Sequence, residues 1–344
     1  MVCLKKAHDE LFRRSADETF GTLDELRQHC RQQKGESADF WQRPQLLGPQ
    51  ASGDGIWLAL EGGRKARLND WSFSQTCRLA GVSKETVNRL SLETASRVLQ
   101  ETMPTASQPM QVLSTGDEVR AIHGPMYTRL WNIDLLNLVS EFATDFQPPQ
   151  VGVNGGTGLY CGEQDMFCFL IDPLGWTEIG GQAFAPGFFV WNSEVGRRSI
   201  GIQTFWFQAV CQNHIVWDAV EVAEFTRKHT TNVGESLLEI RRHIETLVSK
   251  RDERRDAFVK TIGTAMQQSL GDETAKVIEK LREIPKFELR ESLLTEALAS
   301  ARQQGRLTVF SIVDALTKLS QRVRYAGDRL ELDRQAARLL TMAG

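Results

Sequence analysis

The chain has 344 residues, 41% of them hydrophobic and 25% charged, enough for a sizeable core and too apolar for a largely disordered chain. A formal net charge of −3 excludes a globally basic nucleic-acid binder but leaves room for a local basic face. No stretch approaches the roughly 18 apolar residues that span a bilayer, and the charged first residues lack the apolar core of a secretory signal, so the expectation is a cytoplasmic protein with no membrane contact.

Taken in chain order, residues 8–34 predict a helix, with Leu11, Phe12, Phe20, Leu23 and Leu26 at broken helical spacing. Residues 56–60 and 65–68 predict a β-hairpin around the turn 61–64. Two helices follow over 72–102, joined near Gly81. The region 110–225 alternates strands with turns, with candidate strands at 111–114, 119–122, 158–161, 166–171, 188–192 and 199–206. A helix over 133–142 interrupts them. The Gly-rich segment 152–158 lacks the GK[ST] of a phosphate-cradling loop and reads as a connector. From 235 the chain is helical, beginning with the apolar stripe Leu237, Ile240, Ile244, Leu247 and Val248.

Charge is unevenly spread. Residues 151–225 hold eight acidic and two basic side chains, whereas 226–344 hold twenty-two basic and seventeen acidic ones. The two basic residues of the acidic stretch are Arg197 and Arg198, in a turn between two apolar strands. Adjacent guanidinium groups suit phosphate or carboxylate recognition, and an exposed tip paired with nearby acids is the plainer alternative. A second basic segment, with Arg227 and Lys228, leads into the helical part.

The pattern 73–91 (FSQTCRLAGVSKETVNRLS) resembles a helix-turn-helix. Gly81 stands where a positive φ is wanted and Ser83 where the second helix needs a cap. In that reading Ser83, Lys84, Thr86, Asn88 and Arg89 face a major groove; any helical hairpin with a glycine turn gives the same pattern. The six cysteines form no CxxC and no zinc spacing, and no histidine pair has ligand spacing, so neither a metal nor a cofactor is expected. Cys211 and His214 are a conceivable reactive pair, with packed core residues the plainer reading. No catalytic motif is recognisable, so a binding protein rather than an enzyme is expected.

Six segments together resemble a bacterial, plasmid and phage family known only as a domain of unknown function, or as phage/plasmid-like protein. They are 75–83 (QTCRLAGVS), 126–136 (MYTRLWNIDLL), 165–170 (DMFCFL), 191–196 (WNSEVG), 209–213 (AVCQN) and 313–318 (VDALTK). The resemblance runs from about residue 40 onward. It implies association with mobile elements and transfers no catalytic residue. A more distant analogy is to Redβ-type single-strand annealing proteins, which also join a β-hairpin sheet to helices and assemble along DNA.

The expected fold is α+β: N-terminal helices and hairpins over 1–105, a central antiparallel sheet over 106–225, and a helical part over 226–344. The expected function is nucleic-acid binding, with single-stranded DNA favoured, contacted by Arg197, Arg198, Arg227 and Lys228. Trp191 or Trp206 would stack bases if exposed and belong to the core if not. Alternatives are a duplex-binding regulator and an assembly module that docks a partner protein. A homo-oligomer is expected.

Overall fold

The computed structural model describes residues 10–149, 158–209, 213–215, 224–230, 232–303 and 305–343. A short strand β1 (Glu18–Thr19) precedes helix α1 (Leu23–Gly35), which is about half the length expected over 8–34. Thr22 accepts from the backbone N–H of Glu25, whose carboxylate accepts from the N–H of Thr22. This capping box satisfies two donors at once and fixes the helix start.

The N-terminal strands are β2 (Ser37–Gln42), β3 (Gln50–Ser52), β4 (Gly55–Ala59) and β5 (Lys65–Leu68). Helices α2 (Asp70–Leu79), α3 (Lys84–Val87) and α4 (Leu92–Thr102) follow, then the hairpin β6 (Met110–Thr115) and β7 (Glu118–His123). That hairpin does not join the later strands. It pairs with the N-terminal ones in the order β2-β6-β7-β5-β4-β3, parallel where β5 meets β7 and antiparallel elsewhere. Phe73, Cys77, Ala95 and Leu99 of the helices cover Ile56, Leu58, Val112 and Ile122 of this sheet.

Helix α5 (Asn132–Ser140) leads to the second sheet. Its strands are β8 (Leu159–Cys161), β9 (Met166–Ile171), β10 (Thr177–Ile179), β11 (Gln182–Asn192), β12 (Ile200–Gln208), β13 (Asn213–Ile215) and β14 (Glu224–Arg227). The order is β1-β8-β9-β11-β12-β13, with β10 on β11 and β14 on β12, all antiparallel. Side chains alternate between faces along a strand. In β9, Met166, Cys168 and Leu170 pack toward α1 and α5, while Phe167, Phe169 and Ile171 pack on the opposite side. Both faces are apolar because both are covered, and each fully buried Phe is worth about 1.5–3 kcal/mol.

The covering elements are α6 (Ser236–Ser249), α7 (Arg251–Gln267), α8 (Thr274–Arg282), α9 (Glu291–Gln303), α10 (Val309–Ser320) and α11 (Ala326–Arg338). Ile240, Ile244 and Leu247 of α6 complete the α1/α5 side, and Ala326, Leu330 and Ala337 of α11 lie against Phe189 and Phe205. Trp206 stacks on Phe258 of α7 with centroids 3.9 Å apart. Trp191 and Trp206 are therefore core residues and not base-stacking platforms. The α+β class holds, but the single central sheet expected from 106–225 is two sheets. Alternation marks a strand and does not name its partner, and β6 finds its partner in β2, some seventy residues earlier in the chain. Among the described residues no helix is long and apolar enough to cross a membrane.

Candidate functional site

The turn between β11 and β12 is where the two sheets meet, and its first residues are buried. Glu194 receives Arg120 Nη1 of β7 at 2.8 Å and the backbone N–H of Asn132, at the start of α5, at 2.7 Å. Asn192 donates to the Leu130 carbonyl and to Asn132 Oδ1, both at 2.8 Å, and Ser193 Oγ donates to the Gln164 carbonyl at 2.6 Å. The indole N–H of Trp71, on α2, donates to the Val195 carbonyl at 2.9 Å. Asn192, Ser193 and Glu194 are each 2% exposed or less. The Asn192 amide nitrogen, Ser193 Oγ and the Glu194 carboxylate each find partners, as burial at this depth demands, and Asn192 Oδ1 is left without one.

The next two residues part company. Arg198 Nε reaches Asp165 Oδ2 at 2.7 Å, and its guanidinium lies directly against Gly327 at the start of α11. Arg14 shares Asp165 at 3.1 Å and pairs with Asp17, whose carboxylate accepts from the backbone N–H of Ala326. Arg198 thus closes a network that ties α11 to the sheet. Arg197 is exposed, with its guanidinium 5.9 Å from the Trp71 ring centre. Among the described residues it has no ion pair.

The second basic segment divides in the same way. Arg227 pairs with Glu235 at 3.1 Å and Glu239 at 2.7 Å at the start of α6, whereas Lys228 is exposed. The antiparallel register sets Ile200 of β12 opposite Arg227 of β14, so 197–199 and 228–230 leave the sheet at the same end. Three rings join them. His123 stacks on Tyr127 at 3.7 Å and Tyr127 on His229 at 5.5 Å, while Gly196 lies directly against His123 and Tyr127. Both histidines are 7% exposed. Burial pushes His123 down to about 3, helped by the charge of Arg129, and pushes His229 down to about 4. They are neutral rings at physiological pH, and the positive charge at this end comes from the Lys and Arg side chains.

The hairpin at 73–91 has the expected turn, with Gly81 at φ 71° and Ser83 capping α3 through its acceptance from the Thr86 N–H. Its second helix, however, is the single turn α3. Asn88 is buried and holds the backbone of Phe12 by two hydrogen bonds, at 2.8 and 2.9 Å. Lys84 pairs with Asp70 at 2.7 Å, and the exposed Arg89 pairs with Glu85 at 2.6 Å. Of the five groove-facing candidates, Ser83, Thr86 and Arg89 are exposed and Lys84 and Asn88 serve internal contacts. Cys211 lies outside the described residues. His214 falls in β13, with only its backbone described. The connector at 152–158 lies outside them too, apart from Gly158.

Residues 174–340 match a domain of unknown function (DUF932). No curated protein and no solved structure matches the chain. The DUF932 match takes in 191–196, 209–213 and 313–318, and starts beyond the segments at 75–83, 126–136 and 165–170. Arg197, Arg198, Arg227, Lys228 and His229 lie within the matched span, whereas His123 and Tyr127, which stack with His229, and Asp165, which pairs with Arg198, precede it.

A polar cavity of about 610 Å³ between the two sheets lies wholly on residues before the DUF932 match. Glu163, Glu118, Asp70, Arg120 and His29 line it. Glu163 accepts from the Trp71 N–H. Burial pushes its carboxyl up to about 7, with the nearby charges of Asp70 and Glu118 adding to the rise. His29 is raised by its hydrogen bond to Cys161 and by Glu18, 3.7 Å away. The Cys161 thiol is pushed far up by Cys30 and by burial, so it stays protonated and is a poor nucleophile despite its histidine neighbour. Among the described residues no group of three or more His, Cys, Asp or Glu side chains could hold a metal ion. Sequence reading missed this cavity. Its lining comes from six separate stretches, which no local pattern joins.

Proposed function

We propose that the chain is a non-catalytic nucleic-acid-binding protein of mobile-element type, acting in the cytoplasm. It takes single-stranded DNA at the end of the second sheet where Arg197 and Lys228 are exposed. The observation that carries this reading is the convergence of two basic segments, some thirty residues apart, on the ring stack of His123, Tyr127 and His229. An exposed arginine and lysine at one end of the sheet, held in place by the buried ring stack, suit a backbone-tracking, sequence-tolerant contact. Met126, 72% exposed next to Tyr127, adds an apolar edge for an unstacked base. Arg198 and Arg227 support the surface from beneath through their ion pairs. The duplex alternative lacks a recognition helix of useful length, because α3 is one turn and Asn88 faces inward.

The reading is tested by fluorescence anisotropy of labelled single-stranded and duplex oligonucleotides at low salt. The expected result is saturable binding to single strands, weaker binding to duplex, and weakening with salt in both. Absence of binding to either form removes the proposal.

A further inference from the structure

We infer that the chain associates head to tail with a second copy of itself, the ridge of Trp41 and Leu46 on one copy seating in the groove between α9 and α11 of the next. The groove is a cleft of about 880 Å³ along α9 and α11, lined by half-buried Leu289, Leu293, Val323 and Leu332. Its charged lining is mainly acidic: Glu288, Glu296, Asp328 and Glu331 surround the apolar strip, against Arg290 in the lining and Arg322, which pairs with Glu296 at 2.8 Å. The ridge has the opposite character. Trp41 is 46% exposed and Leu46 59%, and they flank a shallow depression with Arg43 between them. The exposed cations Arg64, lying over the Phe40 ring, and Lys65 stand on the same sheet, with Glu61 as the acid beside the ridge. Trp41 sits on β2, an edge strand of its sheet.

Paired large apolar side chains left in water beside charged residues mark an interaction surface. An acidic-rimmed apolar groove and a basic apolar ridge on one chain complement each other in both hydrophobicity and charge. The two faces are different surfaces of the molecule, so the contact is heterologous and builds rings or open filaments instead of a two-fold dimer. Neither face includes Arg197 or Lys228, so this inference stands or falls independently of nucleic-acid binding.

Sedimentation velocity of the full chain without nucleic acid, over a range of protein and salt concentrations, tests it. The weight-average sedimentation coefficient should rise with protein concentration and fall with salt. Trp41→Glu and Leu293→Asp should each give a monomer with an unchanged circular-dichroism spectrum. Mixing the two variants should give a dimer and nothing larger, because each retains one intact face. Arg43→Glu should weaken association, and adding Glu331→Arg should restore it, a rescue that a folding defect would not produce. A wild-type chain that stays monomeric throughout, an oligomer indifferent to both substitutions, or a mixture that remains monomeric overturns the inference.

Discussion

Arg197 and Arg198 are neighbours of identical chemistry with opposite roles. Arg198 points in, to Asp165 and the start of α11, and holds the sheet to its covering helix. Arg197 is exposed, with its guanidinium over the Trp71 ring and no ion pair among the described residues. The same division separates Arg227, tied to Glu235 and Glu239, from Lys228. Charge alone therefore does not mark a binding residue. What marks it is a charge the fold leaves without an internal partner, set close to others like it.

Substitutions can sharpen that contrast. The largest effect is expected at the buried junction. Glu194→Ala strands Arg120 and should cost about 3–5 kcal/mol in a urea unfolding titration. Arg198→Ala removes a charged hydrogen bond beside Asp165 and should cost about 1.5–3 kcal/mol. Asn88→Ala, which leaves the Phe12 backbone groups unpaired, should cost about 1–3 kcal/mol. If Asn88→Ala instead leaves stability intact and impairs duplex binding, the duplex reading returns.

The ring stack predicts a pH effect with a definite sign. His123 and His229 have folded-state values of about 3 and about 4, below the ordinary value of 6.5. Their contribution is complete above pH 6.5 and is lost as pH falls toward those lower values. Glu163 and Asp333, each pushed up to about 7 chiefly by burial, act in the opposite sense: they favour the fold at acid pH and lose that contribution as pH rises through 7. The overall profile is thus a partial cancellation, and His123→Phe isolates one component. Relative to wild type, this variant should gain about 1.4 kcal/mol per pH unit between pH 6.5 and 4.5. A difference that stays constant with pH would mean that His123 is not held neutral. The smallest effect is expected for Arg197→Ala, within about 0.5 kcal/mol of wild-type stability.

Much of the secondary structure was legible in the chain. The strands at 166–171 and 188–192 and the hairpin at 55–68 announce themselves by apolar content and turn residues. The partnership of β6 with β2 was not legible, because pairing is set by long-range packing that alternation does not encode. The helix expected over 8–34 failed over its first half because the segment around Phe12 packs on Phe73 and is held by Asn88. For the candidate surface, the two basic segments could be picked out by composition against an acidic background. Which arginine of each was internally paired depended on Asp165, Glu235 and Glu239, and Asp165 is more than thirty residues from its partner Arg198. The ring stack joins residues 123, 127 and 229 and left no local signature at all.

The most direct test of the central claim is the salt dependence of single-strand affinity for wild type, Arg197→Ala/Lys228→Ala and Arg198→Ala. Each phosphate contact on a single strand contributes about 0.7 to the slope of log affinity against log salt. The double variant should therefore be shallower by about 1.4 at unchanged stability. Arg198→Ala, compared where it remains folded, should keep the wild-type slope. An unchanged slope in the double variant, or a loss confined to Arg198→Ala, would contradict the assignment of this surface.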